Sequence, residues 1–133
     1  MTQHVRGTFE VKLTPQATAE PQVATLGRLS IAKRYAGDLD GIATGEMLTA
    51  SGTVKGSAVY VAVERVTGTL AGRRGSFALH HTGIMDRGSA ELTITVVPDS
   101  GTDDLAGLSG SMSITIAGKE HFYDFEFSLP ATQ

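Results

Sequence analysis

Gly52-Thr53-Val54-Lys55-Gly56-Ser57-Ala58-Val59-Tyr60-Val61-Ala62-Val63-Glu64-Arg65-Val66-Thr67-Gly68-Thr69, continued by Gly75-Ser76-Phe77-Ala78-Leu79-His80-His81, is the stretch that decides the fold. A phrase recurs in it: Gly-Thr, a spacer, Gly-Ser, then alternating apolar residues. It stands at Gly52-Thr53 to Gly56-Ser57, at Gly68-Thr69 to Gly75-Ser76, and again at Gly101-Thr102 to Gly110-Ser111. Each copy reads as the end of one strand, a turn and the start of the next.

The three serines set a common register. Side chains alternate across a strand, so parity decides which groups meet the core. The positions after the serines are Ala58, Phe77 and Met112, then Tyr60, Leu79 and Ile114, then Ala62, His81 and Ile116. The first copy goes on to Glu64. In the second and third copies this face is apolar and the opposite one polar, so it is the inner face. The last strand turns His121, Tyr123, Phe125, Phe127 and Leu129 to one side, and the first turns Phe9, Val11 and Leu13. Strands two and three do not alternate cleanly. Their pattern leaves Lys33, Tyr35 and Glu46 unassigned to a face.

Working outward, strand-like runs bounded by Gly, Asp and Pro turns fill the chain. They fall at about 6–14, 26–36, 42–51, 57–66, 75–82, 89–97, 110–116 and 121–129. Residues 15–21 read as a loop. Residues 70–74 and 103–108 each have room for a short turn of helix. No segment holds a helical period long enough for a long helix. The 133 residues suit one domain spanning 1–133, and 16 glycines against 4 prolines suit many tight turns. Short sequential connections favour an all-β, up-and-down, eight-stranded antiparallel barrel of calycin-like type over two open sheets. Closure also removes the edges that a Val-rich strand would expose.

Composition excludes several classes. The chain has no cysteine, so it has neither disulfides nor thiolate metal sites, which fits a cytoplasmic location. The first six residues lack the apolar core of a signal peptide, and no apolar run is long enough for a membrane helix. A net charge of −3 argues against a nucleic-acid partner.

The inner face carries Tyr60, Glu64, His81, His121 and Tyr123 among apolar groups such as Phe77. An unpaired carboxylate there costs several kcal/mol, so Glu64 needs a partner. His81 lies one hairpin away. Burial raises the Glu64 pKa and an imidazolium lowers it. One reading is a pocket in the barrel for a small, largely apolar molecule, with Tyr60, Glu64, Phe77, His81, His121 and Tyr123 as its contacts. Another is a structural polar cluster that fixes register. His81, His121 and Glu64 include metal-binding residue types, but no ligand motif unites them, and neither metal nor cofactor is expected. No nucleophile elbow and no phosphate loop is present. Outside, Val59, Val61 and Val63 form an apolar row opposite Tyr60 and Glu64, which points to a homodimer.

The runs Val61-Ala62-Val63-Glu64-Arg65-Val66-Thr67-Gly68, Gly75-Ser76-Phe77-Ala78-Leu79-His80-His81, Val97-Pro98-Asp99-Ser100-Gly101-Thr102, Leu105-Ala106-Gly107-Leu108 and His121-Phe122-Tyr123 carry a likeness. Together they resemble an uncharacterised family of small bacterial proteins with a domain of unknown function. The resemblance implies a barrel similar to plant allene oxide cyclase, and a dimer. It implies no established activity, so whether the protein is an enzyme stays open. Three readings follow: a lumenal binder of a small apolar molecule, an isomerase or cyclase using Glu64 or His81, and a non-catalytic interaction module.

Overall fold

Eight strands follow one another around a closed antiparallel barrel, each bonded to the next and the last to the first. They are β1 (Thr2–Gln16), β2 (Leu26–Gly37), β3 (Leu39–Ser51), β4 (Ala58–Leu70), β5 (Arg73–Asp86), β6 (Ser89–Val96), β7 (Ser109–Ala117) and β8 (Glu120–Ser128). The computed structural model describes residues 2–130. Met1 and residues 131–133, the ends of the domain expected over 1–133, lie outside the described residues. A 3-10 turn, Asp103–Leu105, sits in the connection between β6 and β7. Among the described residues no helix is long and apolar enough to cross a membrane.

Most expected strands match, and several run longer. The main difference is at 70–74, where the expected helical turn is absent. Ala71 and Gly72 instead form a two-residue hairpin turn with φ of 50° and 82°. Positive φ at both positions matches the twist of the flanking strands, so β4 and β5 pair from Ser57's neighbour Ala58 out to Leu70. The third copy of the Gly-Thr phrase also departs from the pattern. It is not a hairpin but part of the connection 97–108, which folds over one barrel end and buries Leu105 and Leu108.

That end is packed. Phe77 stacks on Phe125 and Phe125 on Phe127, at 5.8 and 5.4 Å between centroids. Leu39, Leu70, Leu79, Val66 and Val96 fill the space around them. Arg65 donates to Ser76 Oγ at 2.8 Å, Ser76 meets Thr102 Oγ1 at 2.8 Å, and Ser100 Oγ accepts from the Ala78 amide at 3.0 Å. These bonds fasten the covering loop to β4 and β5. Tyr123 fastens the β2–β3 turn at the same end. Its Oη accepts from the Leu39 amide at 2.9 Å and lies 3.0 Å from the Leu39 carbonyl and 3.2 Å from the Ala36 carbonyl.

The other end is open. β6 pairs with β7 only at Ile94–Met112 and Thr95–Ser111, and the two strands splay beyond them. β1 leaves β8 at Phe9–His121 but runs on to Gln16. The inner wall here is lined by Leu13, Met85, Leu92 and Ile116, which are 43 to 65 % exposed although their register faces the lumen. A filled barrel would bury them.

Tyr123→Phe removes the acceptor of the Leu39 amide and leaves a buried donor unsatisfied. The expected cost is about 1–3 kcal/mol. Urea unfolding should show a lower midpoint with unchanged slope.

Candidate functional site

Between the packed and open halves lies a buried ionic cluster built from three strands. Lys33 and Tyr35 come from β2, Glu64 from β4 and His81 from β5. Lys33 Nζ donates to Glu64 Oε2 at 2.7 Å, and Tyr35 Oη donates to Glu64 Oε1. His81 Nε2 is 2.7 Å from the same Oε2, but its N–H is not aligned for a hydrogen bond. Lys33 Nζ also lies 3.4 Å from Tyr35 Oη and 5.0 Å from the centre of the Phe9 ring. The Phe9 face is thus a weak cation–π partner for it.

β2 and β4 are not neighbours, because β3 runs between them. Adjacent strands lie about 4.8 Å apart, so Lys33 and Tyr35 must reach across a whole strand to meet Glu64. The inner residues of β3 make that possible. Tyr35 pairs with Gly41, Lys33 with Ala43 and Ile31 with Gly45, and Gly45 in turn faces Glu64. Each is small, so nothing on β3 fills the gap. At Gly45 even a Cβ would overlap the β4 backbone at Val63 and Glu64.

The structure resolves the two faces left open. Lys33 and Tyr35 point inward, whereas Glu46 points outward and accepts from Arg28 at 2.6 Å. Of the site residues expected from register, Glu64 and His81 are together. Tyr60 is half-buried on the inner wall above them, its ring over Gly83, where a Cβ would collide with it. His121 stands at the open end with its ring 5.2 Å from Phe9. Phe77 lies in the packed half, and the Tyr123 hydroxyl is held by the β2–β3 turn. The geometry therefore does not gather His81, His121 and Glu64 as one set. Among the described residues no group of three His, Asp or Glu side chains is arranged to hold a metal ion.

Lys33 and Tyr35 are the members that register reasoning missed. The usable signal was their parity with Ile31, together with the alternate small residues Gly41, Ala43 and Gly45. A cleft of about 540 Å³ opens beside the cluster, where β1 outruns β8. It is lined by Phe9, Val11, Lys119 and His121 among others, and Phe9 separates it from Lys33.

Residues 5–127 match the family model described as protein of unknown function, DUF3224. The chain belongs to the DUF3224 family. A crystal structure of a DUF3224 protein with unknown function from Shewanella oneidensis MR-1 is similar to it, at 46 % identity and a TM-score of 0.93. The match covers 99 % of this chain and 100 % of that one. No curated protein matches.

Electrostatics in this DUF3224 barrel follow from burial and pairing. Burial pushes the Glu64 pKa up, but His81 and Lys33 outweigh it and hold the carboxyl down at about 2. Burial, then the charge and hydrogen bond of Glu64, push the Tyr35 phenol well above its ordinary value. Burial and Glu64 also raise Tyr60. At neutral pH Glu64 is therefore ionised and both phenols are protonated.

The folded carboxyl titrates below the unfolded one. Its stabilisation is thus fully present above about pH 4.5 and is lost as pH falls towards 2, because the unfolded state binds the proton first. Glu64→Gln should flatten that part of the stability profile. At neutral pH it leaves Lys33 as an unpaired buried cation, at a cost of about 3–5 kcal/mol. Lys33→Met combined with Glu64→Gln removes both charges and should recover much of the loss. Denaturant unfolding of both variants against pH checks the sign and the coupling.

Proposed function

We propose that this barrel binds a small, largely apolar molecule in the open half of its lumen, above the Lys33–Glu64–His81–Tyr35 cluster. The observation that carries the reading is the inner wall at the open end. Leu13, Met85, Leu92 and Ile116 face the lumen and remain accessible, next to a seam where β6 and β7 part. Apolar walls with a few convergent polar groups are the usual make-up of a ligand site. Tyr60 and His121 supply polar groups on the wall and at the mouth. Phe77 supports the floor from the packed side, and Tyr123 does so through the edge of its ring on Tyr35, at 5.7 Å.

The isomerase or cyclase alternative needs a group that holds or moves a proton. Glu64 is held ionised and already accepts from Lys33 and Tyr35, so it suits electrostatic stabilisation better than proton donation. His81 Nε2 faces Glu64 and is enclosed, so it too is poorly placed to pass a proton to a molecule in the lumen. Resemblance to the allene oxide cyclase barrel is fold-level analogy and leaves binding as the simpler reading.

A second copy of the chain on the outer face belongs to the same proposal. Leu48, Val61 and Val63 line an exposed groove with Arg28, Glu46 and His80 at its rim. The loop at residues 17–25 leaves it uncovered. Arg28 and Glu46 already pair at 2.6 Å within one chain, so the rim presents no net charge to a second copy. The absence of cysteine suits a cytoplasmic protein.

Native mass spectrometry of protein purified from its own host should show a retained small molecule. In vitro, the neutral dye N-phenyl-1-naphthylamine should bind and fluoresce. Leu92→Glu, at the mouth, should weaken it about tenfold or more, because it places a charge where an apolar body sits. Val61→Lys, on the outer wall, should leave dye binding intact and convert a sedimenting dimer to monomer. Equal dye binding by Leu92→Glu and wild type would count against the lumen.

A further inference from the structure

We infer that β6 and β7 zip together when the lumen is occupied, so that the seam between them is a gate closing on the bound molecule. This rests on the lumenal reading above and concerns how that site opens and closes. Register shows a strand pair that is ready and unmade. The two strands are bonded at Ile94–Met112 and Thr95–Ser111. Continued without a slip, the ladder would run from Thr93 opposite Ser113 to Ser89 opposite Ala117. β6 begins at Ser89 and β7 ends at Ala117, so the two unbonded stretches have equal length and finish together. Among the described residues neither stretch has a strand partner on this side. Unpaired strand edges are ready templates for pairing, and here two of them face each other in register.

The facing side chains suit closure. On the inner row Leu92 would meet Ile114 and Ala90 would meet Ile116. On the outer row Glu91 would meet Thr115, and no two like charges come opposite each other. Leu92 and Ile116 are exposed while the seam is open. Zipping over an empty lumen would leave their inner sides against water. Zipping over an apolar molecule takes both sides out of water, so closure is favoured where a molecule is bound.

The open state has its own fastening. The β5–β6 turn is tied to the connection between β3 and β4: the Arg87 amide donates to Ser57 Oγ and the Gly88 amide to the Gly56 carbonyl, both at 3.0 Å. β4 lies on the far side of β5 from β7, so these bonds hold the tip of β6 back from the seam. The β7–β8 hairpin is the part free to move. β7 is bonded to β8 from Ser109–Ser128 to Ala117–Glu120, and β8 is bonded to β1 as far as His121. The hairpin is thus anchored along its β8 edge and free along its β7 edge beyond Met112. A swing towards β6 breaks no bond within it.

The test is hydrogen exchange of the whole chain with and without N-phenyl-1-naphthylamine. With the dye bound, the seam-facing amides of 89–93 and 113–117 should slow about tenfold more than those of β4, which is already paired on both sides. Glu91→Cys/Thr115→Cys adds a lock on the outer face of a chain that has no cysteine of its own. A disulfide needs Cα atoms roughly 4.4–6.8 Å apart, which a formed antiparallel pair provides. It should form faster with the dye present. The oxidised variant should bind the dye about tenfold more tightly than the reduced one, because coupling between closure and binding is reciprocal. If the dye binds wild type without added protection at the seam, if the disulfide never forms with dye bound, or if the oxidised variant binds no more tightly, the inference is wrong and lumenal binding stands. If the dye does not bind wild type, the lumenal reading falls and the gate with it.

Discussion

The rest of the molecule is arranged around one carboxylate taken out of water. Glu64 is tolerable in the interior only because two strands of other parity and position deliver donors to it. One set comes from β2, across the whole width of β3, and the other from β5. A slip of one residue in any of these pairings would turn Lys33, Glu64 or His81 to the outside and leave its partners uncompensated. The cluster therefore acts as a register lock across β2 to β5. The cost is met on β3, where Gly41, Ala43 and Gly45 give up inner-face volume so that the partners can meet.

That lock also divides the lumen. On one side aromatic and aliphatic groups pack fully, under a loop whose Leu105 and Leu108 are buried like strand residues. On the other side the wall loosens. β6 and β7 share only two paired positions, and β1 continues past the end of β8. The two halves depend on each other. A packed base holds the closed end of the barrel rigid, which lets the open end carry apolar groups in contact with solvent without collapsing. Tyr123 links the halves, since its ring packs on Tyr35 while its hydroxyl holds the β2–β3 turn.

Much of this could be read before any coordinates. β5, β7 and β8 alternate between an apolar face and a polar one, and the aligned serines carry that parity to β4, so the positions of Glu64, His81 and the outer valines followed from register. β2 and β3 resisted the same treatment for a physical reason. The inner face of β3 is built from glycine and alanine, while Ile42 and Leu48 point outward and are exposed, so the hydropathy signal runs backwards. On β2, a lysine on the inner face imitates a solvent position until its carboxylate is known. Parity along one strand cannot reveal a partner two strands away. The Gly-Thr phrase was similarly partial. It marks two hairpins, but its third copy encodes the covering loop, because a longer spacer with Leu105 and Leu108 has its own core to join.

A fully structural explanation of the cluster meets a difficulty. Apolar side chains of similar volume in place of a buried ion pair are often neutral or stabilising, so stability alone does not call for Lys33 and Glu64. Register specificity is one use for the pair, and the alternation on β5 already supplies part of that. What the ionic arrangement adds is a polar cluster inside an apolar wall. The Glu64 side chain is 0 % exposed, and those of Lys33 and His81 are 6 % and 5 % exposed. His81 Nε2 is as enclosed as the carboxylate: it has no aligned bond, yet it lies 2.7 Å from Glu64 Oε2. A small turn of the ring would make His81 a third donor to Glu64, so the polar groups of the cluster are turned first towards one another.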